Sequence, residues 1–185
     1  MTSAPATITT ERLMLREPRL ADARRVALLA GDFAVASMTA RMPYPYGLAD
    51  AEDWLAAAAA EGGAFAIDFD GELIGCCGLA VVDDAESEIG YWLGRAWWGR
   101  GLATEAVAAL VRHAFSVPRR RRLVASHFVD NPASGRVLQK NGFREASRSE
   151  HWCQARRVSQ ASITYICRRP NIVARARRLL GDHVS

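Results

Sequence analysis

The segment between Ala64 and Phe115 changes its hydrophobic period once, and this change constrains the fold more than any other feature of the chain. β-rich runs fill its first part: AFAIDF and ELIGCCGLAVV flank the turn dipeptide Asp70-Gly71, and EIGYWLG follows a second turn. This pattern predicts an antiparallel meander of three strands. From Leu102 onward, apolar residues recur at helical spacing instead, which predicts an amphipathic helix directly after the meander.

Further elements flank this unit on both sides. They are, in order, a strand at residues 12–16, a helix over residues 20–30, the loop RMPYPYG, a helix in AEDWLAAAAAEGG capped by Asp50, a strand at RLVASHFV, a helix in NPASGRVLQKNGF capped by Asn131, and strands at REASRSE and SITYICR. No internal repeat or linker interrupts them, so the sequence predicts a single domain over residues 1–185. Its core would span about residues 10–168, followed by a basic tail at residues 170–185.

Composition excludes several classes of protein. Half of the 185 residues are hydrophobic and 24% are charged, which is typical of a globular chain and not of a disordered one. No apolar run reaches the roughly 18 residues that span a bilayer. The N-terminal sequence MTSAPATITTERL lacks the basic start and the apolar stretch of a signal peptide. We therefore expect a cytoplasmic protein without a membrane partner.

The four cysteines show no metal-ligand spacing. Cys76 and Cys77 are adjacent in a predicted strand, so their side chains are expected on opposite faces of the sheet. Cys153 and Cys167 lie far from them in the chain. Because there is neither a CxxC pair nor a His/Cys cluster, the sequence predicts packed, reduced thiols and no metal site.

The formal net charge of +4 is compatible with an anionic ligand but does not select one. Four consecutive arginines, residues 119–122, stand between a predicted helix and a predicted strand. We interpret them first as a solvated loop, and second as a contact for a phosphorylated cofactor or an acidic partner. No aromatic residues interleave with them to stack on single-stranded bases, so a nucleic-acid partner is not favoured.

The junction AWWGRGLATEA, where the meander meets the helix, suits an anion. Gly99 and Gly101 let the backbone approach a ligand closely, and the start of a helix presents unpaired N–H groups and positive dipole density. A phosphate or pyrophosphate is the natural occupant, with Arg100 as a charged contact. Two familiar phosphate sites do not fit. The P-loop needs a lysine here, whereas Lys140 is the only lysine in the chain, and the dinucleotide motif GxGxxG lacks its third glycine.

Two longer stretches make this junction more specific. EIGYWLGRAWWGRGLATEA and NPASGRVLQKNGF resemble the two central motifs of the GNAT N-acetyltransferases, and most closely the branch that includes the ribosomal-protein N-terminal acetyltransferases. The family pattern Gln/Arg-x-x-Gly-x-Gly/Ala falls on Trp98 to Ala103, with Trp98 in place of Gln or Arg. TERLMLREPRLAD and PYPYGLADAEDWL also fit that branch, so the resemblance covers the chain from Thr10 to Arg168.

The resemblance implies an α/β (α+β) fold with a mixed, mostly antiparallel sheet, splayed central strands and flanking helices. The strand that ends at Leu93 and the strand Leu123–Val129 would part. The pantetheine arm of acetyl-CoA would fill the gap beside the backbone of Trp92 and Leu93, much as an added strand would. Asn131 would position the same arm. The other cofactor contacts that the resemblance implies are Gly99, Arg100, Gly101, Leu102, Ala103 and Thr104.

Direct transfer of acetyl from acetyl-CoA to a primary amine is the activity that the resemblance implies. A base must first remove a proton from the ammonium form of the amine. Glu88 matches the family position for this base, Glu86 is a rival on the same strand face, and a surface role is the alternative. The amide near Leu93 would stabilise the oxyanion. Ser134 would hydrogen-bond the leaving thiolate, unless it serves only its own helix.

The acceptor side of the sequence is less specific. Tyr44, Tyr46 and Trp152 are candidates for the walls of an acceptor pocket, with packing as an equal alternative. The segment CQARRVSQAS holds no carboxylate, although many relatives place an acidic residue there, so a cationic ribosomal substrate would lose a partner. The predicted partner is an amine acceptor, either a protein N-terminus or a small molecule, and a homodimer is one option for assembly. His113 and His127 are interpreted as packed or surface residues rather than bases.

Two other classes of function stay open at this point. A non-catalytic acyl-CoA-binding domain would share the pyrophosphate turn, but the presence of Glu88 and Ser134 beside that turn favours an enzyme. Nucleic-acid binding through residues 119–122 and the basic tail is the third hypothesis, and it predicts a steep dependence of binding on salt.

Overall fold

One eight-stranded sheet runs through residues 7–170, the part of the chain that the computed structural model describes. Its strands are β1 (Ile8–Thr9), β2 (Leu13–Arg16), β3 (Ala64–Phe69), β4 (Glu72–Val81), β5 (Glu86–Leu93), β6 (Arg122–Phe128), β7 (Arg144–Cys153) and β8 (Val158–Arg168). The helices are α1 (Ala23–Ala30), α2 (Phe33–Ala36), α3 (Leu48–Glu61), α4 (Leu102–Ser116) and α5 (Pro132–Lys140), with short 3₁₀ helices at Leu20–Asp22 and Arg95–Trp97. The strand order is β1-β2-β3-β4-β5-β6-β8-β7.

Helices cover the sheet on both faces and create two main apolar cores. On one face, α4 contributes Leu110 to a core that extends from β2 to β8. On the other, α1 and α3 pack Val26 and Leu55 over β3 and β4. Because side chains alternate along a strand, Cys76 belongs to the second core and Cys77 to the first, as predicted. Burial raises the pKa of both thiols, so neither is a reactive thiolate at neutral pH.

The predicted separation of the two central strands is confirmed. β5 and β6 run parallel and stay in register for three residue pairs, the last of which joins Glu88 to Val124. Beyond this point β5 continues alongside β4 as far as Leu93, while β6 continues alongside β8 as far as Phe128. We call the resulting opening between residues 89–93 and 125–128 the fork. Its two inner edges face each other without being paired, so each leaves backbone groups available to a ligand.

A buried ionic network ties β2 to its neighbours. The Arg16 guanidinium donates to Asp68 of β3 at 2.7 Å and to Asp22 at the start of α1 at 2.8 Å. Asp68 is only 6% exposed. Burial alone would raise the pKa of Asp22, but hydrogen bonds from Arg16 and from the Arg19 amide hold it below its usual value. The network therefore depends on all of its charges being present.

Most local predictions match these elements, and the exceptions have simple causes. The hairpin at Asp70-Gly71 forms with both residues at positive φ, 52° and 80°, as a two-residue turn requires. Asp50, however, does not cap α3. The helix begins at Leu48, and the Asp50 carboxylate accepts a hydrogen bond from the Gly47 amide from within the first turn. β1 and α2 were not predicted because elements of two and four residues carry no measurable period.

The predicted basic tail lies, apart from Pro170, outside the described residues. A single domain over the whole chain stays a prediction for the same reason. Within residues 7–170 the sheet is continuous from β1 to β7.

Candidate active site

The turn between β5 and α4 places two glycines in the left-handed region of backbone space. Gly99 has a φ of +73° and Gly101 a φ of +78°, which side-chain-bearing residues rarely adopt. A Cβ atom on Gly99 would meet no atom within 4 Å, so backbone conformation rather than lack of space requires glycine there. Gly101 is the N-cap of α4 and supplies no side-chain cap. The amides from Leu102 to Thr104 therefore lack intrahelical acceptors and present an anion site.

Glu105 lies in the first turn of α4, where its charge would oppose a bound phosphate. The structure directs it toward the N-terminal strands instead. Its carboxylate accepts hydrogen bonds from Thr10 Oγ1 at 2.7 Å and from the Arg12 amide at 2.8 Å, and pairs with the Arg12 guanidinium at 2.7 Å. Burial alone would raise the pKa of Glu105, but these hydrogen bonds hold it below its usual value. The pairing neutralises the charge, so the helix start keeps its positive character.

Arg12 also fixes the glycine turn. A second nitrogen of its guanidinium donates to the carbonyl oxygen of Arg100 at 3.2 Å. The Arg100 guanidinium in turn lies 5.0 Å from the centre of the Phe69 ring, within range of a cation–π interaction. The turn is thereby held from the N-terminal strands, with Arg100 adding positive charge beside it. A contact of Arg100 with a pyrophosphate stays a prediction.

Trp98 joins the turn to the end of β5. Its indole Nε1–H donates to the carbonyl oxygen of Leu93 at 2.7 Å, and 44% of the residue remains exposed. The family pattern has Gln or Arg at this position, and Trp98 keeps the one property that all three share, an N–H donor. The departure in the sequence therefore preserves the donor while adding an aromatic surface.

The inner edge of β5 can be assigned from one hydrogen bond. The Gly94 amide donates to Ile74 on β4 at 2.8 Å, so it points away from the fork. Backbone groups of successive strand residues point to opposite sides, which directs the amides of Leu93 and Tyr91 toward the fork. The Leu93 amide is therefore free to donate into the fork, and its role as oxyanion donor stays a prediction. The N–H of Trp92 points toward β4 instead.

The first turn of α5 meets β5 across the mouth of the fork. Asn131 caps the helix as predicted, its side chain accepting from the Ser134 amide at 3.2 Å. The Ser134 hydroxyl lies 2.7 Å from the hydroxyl of Tyr91, which also donates to the Ser134 carbonyl at 3.1 Å. Burial raises the pKa of Tyr91 to about 12. The structure thus places a tyrosine hydroxyl of the facing strand beside Ser134, a contact that the sequence did not predict.

The two candidate bases differ in their surroundings. Strand alternation places Glu86 and Glu88 on the same face, as predicted. Glu86 is partly buried and forms an ion pair with Arg122 on β6. Glu88 is exposed and occupies the last paired position before the fork opens, and within residues 7–170 no ion pair holds it. The place of Glu88 at the opening of the fork, and the lack of an ion pair to it within residues 7–170, therefore favour Glu88 over Glu86 as the base.

The candidate acceptor residues have distinct environments. Tyr44 packs edge-on against Phe33, with ring centres 4.9 Å apart, and Trp152 is 54% exposed. Tyr46 packs into the core beneath α1 and α3, and its hydroxyl donates to the Asp50 carbonyl at 3.3 Å. Burial, followed by the charge of Asp50, raises the pKa of Tyr46 to about 12. Tyr44 and Trp152 thus expose aromatic surface, while Tyr46 contributes mainly to packing.

Sequence reasoning missed an ion pair on the acceptor side. The segment that follows β7 carries no carboxylate of its own, but Arg156 within it pairs with Asp130 at 2.5 Å. Asp130 follows the end of β6, immediately before the Asn131 cap. Arg156 also lies 5.5 Å from the Phe128 ring. The acidic residue near this segment, Asp130, therefore comes from a different element, so the sequence of the segment itself does not predict it.

Two histidines that were weighed as bases lie in packed positions. His113 contacts the Phe65 ring edge-on, with ring centres 5.6 Å apart. His127 is 7% exposed, and its Nδ1 lies 2.7 Å from the Phe128 carbonyl. Over residues 7–170 there is no group of three or more His, Cys, Asp or Glu side chains that could hold a metal ion. The helices of that same stretch are all too short or too polar to cross a membrane.

The forked sheet, with a glycine turn and a helix start beside the fork, is part of a domain that occurs in other proteins. The GNAT acetyltransferase domain model matches residues 12–144. The chain therefore belongs to the GNAT acetyltransferase family, which confirms the resemblance and the predicted fold class.

Individual relatives are similar over only part of the chain or at low sequence identity. The ribosomal-protein-serine acetyltransferase of Escherichia coli is 38% identical over 74 residues, which are 39% of this chain and 41% of that protein. The chain matches less than half the length of such curated relatives. Among solved structures, a GNAT acetyltransferase from Bacillus anthracis superimposes with a TM-score of 0.78 at 20% identity, covering 88% of this chain and 98% of that one. RimJ of Mycobacterium smegmatis, in complex with CoA-disulfide, gives 0.77 at 22% identity, covering 96% and 95%.

Proposed function

We propose that this protein is an acetyl-CoA-dependent N-acetyltransferase that transfers acetyl to a primary amine. The observation that carries the proposal is the position of the fork next to the anion site at the start of α4. The fork accepts an extended amide-containing arm, and the anion site accepts a pyrophosphate. Coenzyme A carries both groups in a single molecule. Family membership and the CoA-disulfide bound to the Mycobacterium smegmatis neighbour support this choice.

In this proposal the cofactor lies across the turn and enters the fork. The amides of Leu102, Ala103 and Thr104 bind the pyrophosphate, while Gly99 and Gly101 keep the approach open. The arm then runs along β5, where the backbone groups of Leu93 and Tyr91 point toward it and Trp92 lies between them. Asn131 holds the facing side of the fork. The thioester then lies beside the Leu93 amide, on the path toward the vertex where the strands close at Glu88.

Glu88 acts as the general base through a chain of water molecules, because Leu93 lies five residues further along β5, about 16 Å away. It removes one proton from the ammonium, and the amine nitrogen then attacks the thioester carbonyl carbon to form a C–N bond. The Leu93 amide donates to the oxyanion of the tetrahedral intermediate. Collapse breaks the C–S bond and releases the thiolate of CoA, to which the Ser134 hydroxyl donates a hydrogen bond. The nitrogen loses its second proton to water in this step, and the thiolate takes up one proton from water to give the CoA thiol. The products are the acetylated amine, CoA and one proton.

The acceptor is a protein N-terminus or a small primary amine. The Escherichia coli relative named above acts, by its name, on a ribosomal-protein serine, which supports a protein substrate. Tyr44, Tyr46 and Trp152 stay the candidates for the acceptor walls, and the reaction is placed in the cytoplasm. A homodimer is one option for the assembly. Nucleic-acid binding is disfavoured further, because Arg122 is already paired with Glu86.

An acceptor screen tests the enzyme directly. Purified protein is incubated with acetyl-CoA and a panel of peptides and small amines, and release of the CoA thiol is measured. We expect turnover with at least one acceptor. Tight binding of acetyl-CoA without turnover on any of them would instead support the non-catalytic acyl-CoA-binding domain.

A pair of glycine variants tests the anion site. Gly101→Glu places a carboxylate beside the amides of α4, so we expect the KM for acetyl-CoA to rise about 100-fold, because like charges about 4 Å apart near a protein surface repel by up to about 4 kcal/mol. Gly71→Glu is the matched control, because Gly71 has nearly the same φ, +80°, but lies in the β3–β4 hairpin. Both variants carry the same backbone strain, so an equal KM in the two would refute the site.

A further inference from the structure

Within residues 7–170, the hydroxyls of Tyr91 and Ser134 form the one side-chain hydrogen bond that crosses the fork, from β5 to α5. Tyr91 belongs to the free part of β5, and Ser134 to the helix that follows β6. Their oxygens are 2.7 Å apart, and they are separated by 43 positions in the sequence. Both residues are partly buried. A contact of this kind orients a hydroxyl as well as joining two elements.

Resting on the proposed function, we infer that Tyr91 is a positioning residue that orients the Ser134 hydroxyl toward the sulfur of CoA. A serine hydroxyl has one proton and can make one donated hydrogen bond. When Tyr91 donates to Ser134 Oγ, the Ser134 proton is left free for the sulfur. When Tyr91 donates to the Ser134 carbonyl, its own oxygen can accept that proton instead. The contact with Oγ is the shorter one, 2.7 Å against 3.1 Å, so we assign the first arrangement, in which Tyr91 donates to Ser134 Oγ.

Tyr91 stays protonated throughout. Its pKa of about 12 exceeds the value of about 8.5 expected for a thiol such as that of CoA. A proton transfer from Tyr91 to the departing thiolate would therefore run uphill by more than three orders of magnitude. Tyr91 acts only through the hydrogen bond that it donates, and the thiolate is stabilised rather than protonated by this pair.

The pKa of the thiol in bound CoA reports this contact without any acceptor amine. The ultraviolet absorption of the thiolate is followed while the complex of the intact protein with reduced CoA is titrated. A hydroxyl aimed at the sulfur favours the charged form, so the wild-type complex should show a thiol pKa below that of free CoA. In Tyr91→Phe and in Ser134→Ala we expect this pKa to rise by about 1, which corresponds to a tenfold change in the thiolate equilibrium.

The double variant separates direct from indirect action. Because Tyr91 acts through Ser134, the variant that lacks both hydroxyls should match Ser134→Ala alone. Tyr165→Phe is the control, since it removes a hydroxyl from another buried tyrosine whose contact, Gln139 at 3.5 Å, lies elsewhere on α5. It should leave the thiol pKa unchanged. With acetyl-CoA and a working acceptor, Tyr91→Phe should lower kcat about tenfold at an unchanged KM.

Each result decides one point. A thiol pKa that moves in Ser134→Ala but not in Tyr91→Phe would make Tyr91 a packing residue and overturn the inference, as would additive effects in the double variant. If Tyr91→Phe does not fold, a fluorinated tyrosine at position 91 replaces it. This stronger donor should lower the thiol pKa further, and no change would again overturn the inference. Failure of the wild-type protein to bind CoA at all would instead refute the proposed function.

Discussion

β4 and β7 are both strands of ten residues, yet they lie in opposite environments. β4 is an inner strand with five consecutive buried residues, Leu73 to Cys77, which lie against helices on both faces of the sheet. β7 is an edge strand in which only Cys153 is buried. Their sequences differ in the same way. LIGCC is continuously apolar, whereas REASRSEH mixes charged residues with small ones.

This difference separates the two halves of the proposed site. The strands that form the cofactor side of the fork are held from both faces, so their geometry follows from packing. The strands on the acceptor side leave their edge and much of their surface to solvent. In the proposed site, the rigid fork favours one cofactor. The open surface near β7 offers only a few side chains that could select an acceptor. The sequence therefore identifies the family of the protein but does not identify the acceptor.

Removing the charge of Arg16 should have the largest effect. Arg16→Met leaves Asp22 and Asp68 without their shared partner, and an uncompensated buried carboxylate typically costs about 3–5 kcal/mol in the free energy of unfolding. Arg148→Met on β7 is the matched control, because the Arg148–Glu145 pair is exposed and screened by solvent, so its loss should leave the free energy of unfolding nearly unchanged. Chemical denaturation of both variants gives the comparison. Equal losses would break the contrast between inner and edge strands.

Glu88 lies at the boundary between the two halves. Glu88→Gln should lower kcat about 100-fold at neutral pH, the lower end of the range for a general base. The loss should shrink at alkaline pH, because more of the amine is then already deprotonated. A pH profile of kcat measures this. Glu86→Gln is the control, and a pH-dependent loss in that variant with a flat profile in Glu88→Gln would move the base to Glu86.

Glu105 connects the glycine turn to the N-terminal strands. Its pKa is lowered in the folded protein, so it stabilises the fold at pH values above its unfolded pKa of about 4.3 and loses this contribution as the pH falls through the still lower folded value. Glu105→Gln should therefore cost about 1–2 kcal/mol at pH 7 and less near pH 3. Denaturation at the two pH values measures the difference, and a constant loss would contradict the ionic origin of the contact.

The smallest expected effect concerns Trp98. Trp98→Phe removes the donor to the Leu93 carbonyl but keeps an aromatic ring, so the end of β5 loses one hydrogen bond. We expect the KM for acetyl-CoA to rise about 3- to 10-fold, in line with about 1 kcal/mol for a neutral hydrogen bond. Trp98→Gln restores a donor and should recover part of the loss. If Trp98→Phe binds acetyl-CoA as tightly as the wild type while Trp98→Gln binds it more weakly, the aromatic surface rather than the N–H is what matters.

Local chemistry made several features of this protein predictable. The glycine turn, the start of α4 and the Asn131 cap each depend on residues within a few positions of one another, so their pattern survives in a linear reading. The alternation that sent Cys76 and Cys77 to different cores is equally local. The fork itself was expected only through resemblance to a family, because nothing in β5 or β6 alone says that they part after three pairs.

Contacts between distant positions required the folded chain. Tyr91 and Ser134 are 43 positions apart, Asp130 and Arg156 are 26 apart, and Arg12 and Glu105 are 93 apart. Hydrogen bonds and ion pairs depend on distances of about 3 Å, which are set by how strands and helices pack rather than by any period in the sequence. The amino acids alone therefore determined the glycine turn and the family, whereas packing determined which hydroxyl meets Ser134, where Glu105 directs its charge and which carboxylate pairs with Arg156.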